Sequence, residues 1–219
     1  MPLSSVHALP ERLIVATGNA GKLREFQALL AGLPCIVESL GELRLGVPEE
    51  TGTTFIENAL LKARHALAAA VAIRPEAAAI ADDSGLEVDA LGGAPGVFSA
   101  RYAGPQADDA ANNAKLSAAL EGVPPERRRA RYRCALAMAF PGERAAPLIA
   151  EGVWEGYILE SPRGARGFGY DPYFWLPEWS MTAAELEPEN KNRLSHRAQA
   201  MKDLRQQLRW ADGCGEPRR

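Results

Sequence analysis

A small apolar run, Ala77 to Ala81, ends abruptly in two carboxylates, Asp82 and Asp83, followed by Ser84 and Gly85. Leu86, Val88 and Ala90 then alternate with Glu87 and Asp89, the period of two that marks a half-buried strand, while the run before the acids suits a short buried one. The pattern predicts two strands with the acids in a turn between them. Successive side chains on extended backbone point to opposite faces, so Asp82 and Asp83 are expected to diverge, one towards a pocket and the other bracing the turn. Two explanations of the stretch are open. Asp, Ser and Gly favour turns for local reasons. Alternatively, a hard cation such as Mg²⁺ needs carboxylate oxygens on a rigid frame, keeps several waters and shares its shell with substrate phosphates.

Upstream, Leu13 to Ala16 is a short apolar strand that leads through Thr17-Gly18-Asn19-Ala20-Gly21-Lys22 into an amphipathic helix carrying Leu23, Phe26, Leu29 and Leu30. Strand, glycine loop and helix in that order point free N–H groups and a positive helix end at one spot, which suits a phosphate, with Lys22 adding a full charge. Leu23 stands where a Walker A loop needs Ser or Thr, so that motif is excluded. Glycine turns between strand and helix are also common in α/β proteins at large. Cys35 to Leu40 reads as a second strand. Thr54 and Glu57 form a capping-box pattern at the head of a helix whose apolar stripe is Phe55, Ala59, Leu60, Ala63 and Leu67. Asn58, Lys62 and His65 share its polar side, expected to be solvated. Glu49 and Glu50, just ahead, are either favourable charges near the helix start or a second metal carboxylate supplied from a loop.

Further on, Asp108 or Asp109 caps a helix through Leu116 and Leu120. Arg127, Arg128, Arg129, Arg131 and Arg133 resemble a nucleic-acid patch until their alternation with Ala130, Tyr132 and Cys134 is noticed, which predicts a solvated strand face. Tyr132 to Phe140 and Leu148 to Tyr157 read as a long antiparallel hairpin. In the loop from Ser161 to Pro172, glycines interleave Arg166, Phe168, Tyr170 and Asp171. Its aromatics either offer a face to a base or anchor the loop in the core. Tyr173 to Leu176 continues as strand. Thr182 with Glu185 forms a second capping-box pattern, and a last helix runs from about Ser195, with Lys191, His196 and Arg197 gathered at its start.

Hydrophobic content of 47% over 219 residues allows one well-buried core. The 25 Lys and Arg against 28 Asp and Glu leave a net charge of -3, without the footprint of a nucleic-acid or anionic-membrane binder, so a small ligand is expected. Met1 to Pro10 lacks the marks of a leader and no stretch reaches the roughly 18 apolar residues of a span, so a cytoplasmic location is expected. Cys35, Cys134 and Cys214 are too scattered for a zinc site or a disulfide framework. The expected architecture is α/β, a single mixed-sheet domain with two lobes flanking a nucleotide cleft, spanning 12–211 between an N-terminal extension (1–11) and a flexible tail (212–219).

Five segments in this order resemble one family, the inosine triphosphate pyrophosphatases. They are Thr17 to Lys22, Glu49-Glu50-Thr51-Gly52 running into Phe55 to Ala59, Ala81 to Leu86, Phe168-Gly169-Tyr170-Asp171-Pro172, and Ser195-His196-Arg197 preceded by Lys191. The resemblance spans nearly the whole chain, and only Ala165-Arg166 vary the glycine lead-in to Phe168. It implies a Mg²⁺-dependent homodimer that hydrolyses ITP, dITP and XTP to the monophosphate and pyrophosphate, clearing deaminated purines from the nucleotide pool. On that pattern Thr17, Gly18, Asn19, Ala20, Gly21, Lys22 and Lys62 hold the triphosphate. Glu49 and Asp83 hold Mg²⁺, and Asp83 is also the general base. Ser84 contacts substrate, the segment Phe168, Gly169, Tyr170 and Asp171 receives the purine with Phe168 stacking on it, and Lys191, His196 and Arg197 offer donors to the base. A nucleotide sensor built on the same loops would need no paired metal carboxylates. An RNA-binding module would instead draw on the arginine run.

Overall fold

The structure, a computed structural model, describes residues 10–142 and 146–208. Its frame is a seven-stranded mixed sheet in the order β2-β1-β3-β4-β5-β6-β7. The strands are β1 (Arg12–Val15), β2 (Ile36–Ser39), β3 (Ala78–Val88), β4 (Arg129–Ala139), β5 (Leu148–Ile158), β6 (Phe174–Leu176) and β7 (Met181–Thr182). The helices are α1 (Ala20–Leu29), α2 (Phe55–Ala70), α3 (Asp109–Ala119), α4 (Pro188–Leu194) and α5 (His196–Gln207). β1 runs parallel to β2 and β3, and every later pairing is antiparallel. The predicted tail and most of the predicted N-terminal extension lie outside the described residues. Among the described residues no helix is long and apolar enough to cross a membrane.

The expected turn at the acids does not exist. β3 is one 11-residue strand, and Ala81 to Gly85 pair in unbroken register with Ala137 to Arg133 of β4. A long partner strand supplies ladder bonds to the very residues whose turn propensity would otherwise end the strand, so tertiary pairing overrides the local preference. Gly85 is a close-approach position, because a Cβ there would sit 2.5 Å from the Gly96 carbonyl and from Ser99 Oγ.

Alternation along β3 sorts the core. Ala78 and Ile80 face α1 and α5, packing with Leu13, Phe26, Met201 and Leu204. Ala77, Ala79 and Ala81 face α2, whose Ala59, Ala63 and Ala66 bring helix and sheet close together. A third core, built on Leu86, Leu116, Trp154 and Phe174, fills the second lobe. Long strands β3, β4 and β5 run through both lobes, and the cleft opens at the middle of β3.

The predicted hairpin is β4 and β5, with Tyr132 opposite Trp154. Its arginines lie among acids: Arg131 meets Glu87, Asp89 and Glu155, and Arg133 meets Glu151. Arg128 departs from the expected solvated face, being buried with its guanidinium on the Val123 and Leu120 carbonyls. The Thr182 and Glu185 pattern closes a turn rather than a helix, Glu185 accepting from the Thr182 N–H at 2.7 Å. Helix α4 then precedes α5, and Ser195 between them caps α5 by accepting from Ala198 N–H at 3.2 Å.

Candidate active site

The cleft between the lobes is a cavity of about 300 Å³ whose lining includes Lys22, Asp83, Ser84, Phe168, Lys191 and Arg197. At one end lies the glycine loop. Asn19 caps α1 by accepting from Lys22 N–H at 3.0 Å, and Thr17 Oγ1 accepts from Asn19 N–H at 3.1 Å. Gly18, Asn19 and Ala20 are exposed there, Thr17 is half-buried, and Gly21 is buried under the Phe168 ring. The loop is thereby pre-shaped, with the positive end of α1 turned to the cleft.

Asp83 continues the parity of Ala79 and Ala81 and so points to α2. Its Oδ1 lies 2.9 Å from Lys62 Nζ, and its Oδ2 accepts from Asn58 Nδ2 at 3.1 Å. The polar side of α2 is therefore not a solvated face. Asn58 and Lys62, one turn apart, are buried, and only His65 stays half-exposed, against the Gly46 carbonyl. The predicted capping box is present, Thr54 and Glu57 satisfying each other's ends. Asn58 Oδ1 also accepts from Gly52 N–H at 2.7 Å, which ties the loop carrying Glu49 and Glu50 to the acid it faces. Glu50 is held by Lys62 at 2.6 Å and Arg101 at 3.1 Å, whereas Glu49 is exposed. Burial pushes the Asp83 carboxyl above its ordinary range and Glu50 adds to this, against the pull of Lys62 and Lys22.

Asp82 has the opposite parity and points to α1 and α5. It is wholly buried, with Lys22 Nζ 3.4 Å from Oδ1 and Arg197 Nη2 2.7 Å from Oδ2. Burial alone would raise its pKa, but Arg197, Lys22 and Lys62 outweigh that and hold it well below the usual carboxylate range. Arg197 also donates to Glu25 and to Ser84 Oγ, and Glu25 accepts from Lys191 Nζ at 2.8 Å. Lys191 in turn reaches Asp171 at 2.6 Å. The result is an alternating chain of charge along the cleft floor: Lys22, Asp82, Arg197, Glu25, Lys191, Asp171.

At the far end the aromatic loop splits its duties. Tyr170 is buried and donates its OH to the Ser99 carbonyl at 2.8 Å, anchoring the loop. Phe168 is half-buried on the cleft wall with Lys191 Nζ 4.9 Å from its ring centroid. Asp171 accepts from Phe168 N–H at 3.0 Å, an approach that only glycine at 167 allows, since that residue has φ +78° and a Cβ would meet Asp171 at 2.0 Å. Gly169 is pinned by Asp109 and Asn113 of α3. His196 stacks on Tyr132, and burial together with the charges of Arg197 and Lys191 holds its imidazole far below the ordinary value. Every residue expected to line the site except Glu49 thus lies at the cleft, its immediate shell or the glycine loop. Glu25, Asn58, Arg101 and Asp109 join them without having been singled out for the site.

Residues 13–207 match the profile of the Ham1 family. The chain belongs to the Ham1 family. Relatives are more than half identical to it over the aligned residues. A dITP/XTP pyrophosphatase of Pseudomonas aeruginosa is 54% identical over 198 residues, 90% of this chain and 97% of its own. One of Methylococcus capsulatus is 53% identical over 202 residues, covering 92% and 98%. A HAM1 protein of Coxiella burnetii superposes with a TM-score of 0.80 at 46% identity, over 91% of this chain and 99% of its own. Family membership agrees with the five-segment resemblance, and the superposition on the Coxiella burnetii protein shows a shared fold.

Proposed function

We propose that this protein hydrolyses dITP, XTP and ITP to the nucleoside monophosphate and pyrophosphate, and so removes deaminated purines from the nucleotide pool. One observation carries the proposal: a phosphate-type loop with Lys22, a buried carboxylate braced by Lys62 and Asn58, and an aromatic wall at Phe168 meet in a single cleft. The relatives' names point the same way. The test is to incubate the protein and Mg²⁺ separately with ITP, ATP and GTP and resolve the products by anion exchange. IMP with pyrophosphate from ITP alone supports the proposal. IDP with phosphate places attack at the terminal phosphorus and overturns it.

In the mechanism this implies, Asp83 orients a water for in-line attack on the α-phosphorus and takes its proton. A bond forms from the water oxygen to that phosphorus, the bridging bond to the β-phosphate breaks, and pyrophosphate leaves with its charge met by Lys22 and Lys62. The reading of Mg²⁺ is supported by donor chemistry, since carboxylates are hard oxygen ligands and Asp83 lines the cleft. As the resemblance implies, Asp83 at the cleft would hold the ion together with Glu49, which is exposed on the loop beside Glu50. Bound there, Mg²⁺ would supply charge neutralisation to the phosphates.

The 6-oxo group of hypoxanthine or xanthine accepts from donors on the Lys191, His196 and Arg197 side of the cleft, whereas the 6-amino group of adenine opposes its own hydrogens to them. Guanine shares the 6-oxo group, so its rejection must act at the 2-position. From the resemblance we further infer a homodimer working in the cytoplasm with no nucleic-acid partner. The last point is supported by the acids that accompany Arg131 and Arg133.

A further inference from the structure

Asp82 is the acid left over when Asp83 is assigned to the chemistry, yet it is the more deeply buried of the two. A buried carboxylate is retained only where its oxygens are compensated. Here the compensation comes from opposite ends of the site. Oδ2 takes two bonds from Arg197, Nε at 3.1 Å and Nη2 at 2.7 Å, a third from Ser84 Oγ at 3.0 Å and a weak fourth from the Cys134 thiol at 4.0 Å. Among the described residues Oδ1 has no hydrogen-bond partner, and its compensation is the ammonium of Lys22, 3.4 Å away in the phosphate loop.

Arg197 is itself nearly used up. Of its five N–H donors, two go to Asp82, one to Glu25 and one to Ser84 Oγ, and its residue exposure is 1%. Its fork therefore has one orientation, fixed from below by Asp82, and one donor left to spend. Lys22, on the other side of the same carboxylate, is paired with it as an ion 3.4 Å away without a hydrogen bond, and can move onto a phosphate.

Resting on the function proposed above, we propose that Asp82 is a positioning residue that couples the two ends of the substrate. By anchoring Arg197 it sets base selectivity, and by the loose pairing of its other oxygen it restrains Lys22 until a triphosphate draws that lysine away. Asp82 touches no reacting atom. Its influence on the base travels through Arg197, and its influence on the phosphates through Lys22.

The test is Asp82→Asn, assayed with ITP and ATP, with inorganic tripolyphosphate as a competitive inhibitor that has no base. Removing the charge from the two contacts with Arg197 should lower the ITP-over-ATP ratio of kcat/KM by roughly tenfold. Tripolyphosphate should inhibit as well as before or better, since Lys22 loses its competing anion. A merely structural role for Asp82 would depress both substrates and tripolyphosphate together and leave the ratio unchanged, which overturns the proposal. Glu25→Gln supplies a second reading if Asp82→Asn does not fold: it removes the other acid on Arg197 and leaves the Asp82–Lys22 pair in place, so the ratio should fall with tripolyphosphate inhibition unaltered. An unchanged ratio in that variant also overturns the proposal. Failure of the proposed function would look different, because the unaltered protein would then yield no IMP from ITP.

Discussion

Lys62 Nζ sits 2.9 Å from Asp83 Oδ1 and 2.6 Å from Glu50 Oε1, joining two acids that lie on different elements and 33 positions apart (83 minus 50). Burial would lower the lysine pKa, but Asp83, Asp82 and Glu50 together raise it and so favour the ammonium form. The ammonium holds Asp83 in the position from which we propose that it accepts the proton of the attacking water. Asp83→Asn keeps the shape and removes the base. Turnover of ITP should fall by about 10²- to 10⁴-fold, while nucleotide affinity measured by calorimetry stays within a few-fold. Turnover equal to the unaltered protein would remove Asp83 from the mechanism.

His196 gives a pH signature of its own. It is buried, stacked on Tyr132 with ring centroids 4.8 Å apart, and its Nδ1 has no hydrogen-bond partner. Its folded pKa is depressed, so below the unfolded value of about 6.5 the unfolded chain binds a proton that the folded one refuses. Stability is therefore full above that pH and is lost as pH falls, by up to about 1.4 kcal/mol per unit. Urea unfolding at pH 7, 6 and 5 should show a steeper loss than His196→Phe, which keeps an aromatic ring for the stack. Parallel slopes for the two proteins would show that His196 is not held neutral.

Phe168→Ala removes the aromatic wall while leaving Tyr170 to anchor the loop on the Ser99 carbonyl. Base stacking is worth roughly 1–3 kcal/mol, so KM for ITP should rise by one to two orders of magnitude. Inhibition by tripolyphosphate, which has no base, should not change. A parallel loss of both would mean that the substitution collapses the loop.

Much of this site was legible in the residues. The parity of β3 alone sends Asp82 and Asp83 to opposite faces, and the structure places Arg197 and Lys22 against one, Lys62 and Asn58 against the other. The continuity of β3 was not legible, because the Asp-Asp-Ser-Gly preference for turns is local whereas the pairing with β4 comes from some 50 residues further along. Nor was the burial of Lys62, since a lysine on a helix reads as solvated unless its acids are known, and those arrive from Glu50 and Asp83. Glu25 looks like an ordinary helix glutamate until α4 and α5 bring Lys191 and Arg197 to it. Helix α4 is too short to show a period.

Gly152 of β5 tests how the base side of the cleft is supported. A Cβ there would lie 2.0 Å from the His196 carbonyl and 2.6 Å from Ala200 N, both backbone atoms of α5 that cannot turn aside. Gly152→Ala should push the start of α5 outward, at a cost of about 1–3 kcal/mol or more. Because His196 and Arg197 ride on that turn, the ITP-over-ATP ratio should fall along with the unfolding midpoint. Wild-type stability in the variant would show that β5 and α5 approach less closely than described.

The loop acids separate by what already holds them. Glu50 has Lys62 and Arg101 on its two oxygens, and Asn58 fixes the loop through Gly52 N–H, so Glu50 acts as a brace. Glu49, one residue earlier, is exposed and has no ion pair among the described residues. A divalent cation is drawn most strongly to an uncommitted carboxylate, because it need not first break an ion pair. Glu49→Gln should therefore raise the Mg²⁺ concentration required for half-maximal turnover by about tenfold or more, the scale of losing one charged ligand. In Glu50→Gln that concentration should move less, while the loop contact to Lys62 weakens. Prior removal of metal with EDTA should abolish turnover and its return should follow added Mg²⁺. The reverse order of the two variants in a Mg²⁺ titration would assign the ion to Glu50, with the Lys62 pair opening when metal binds.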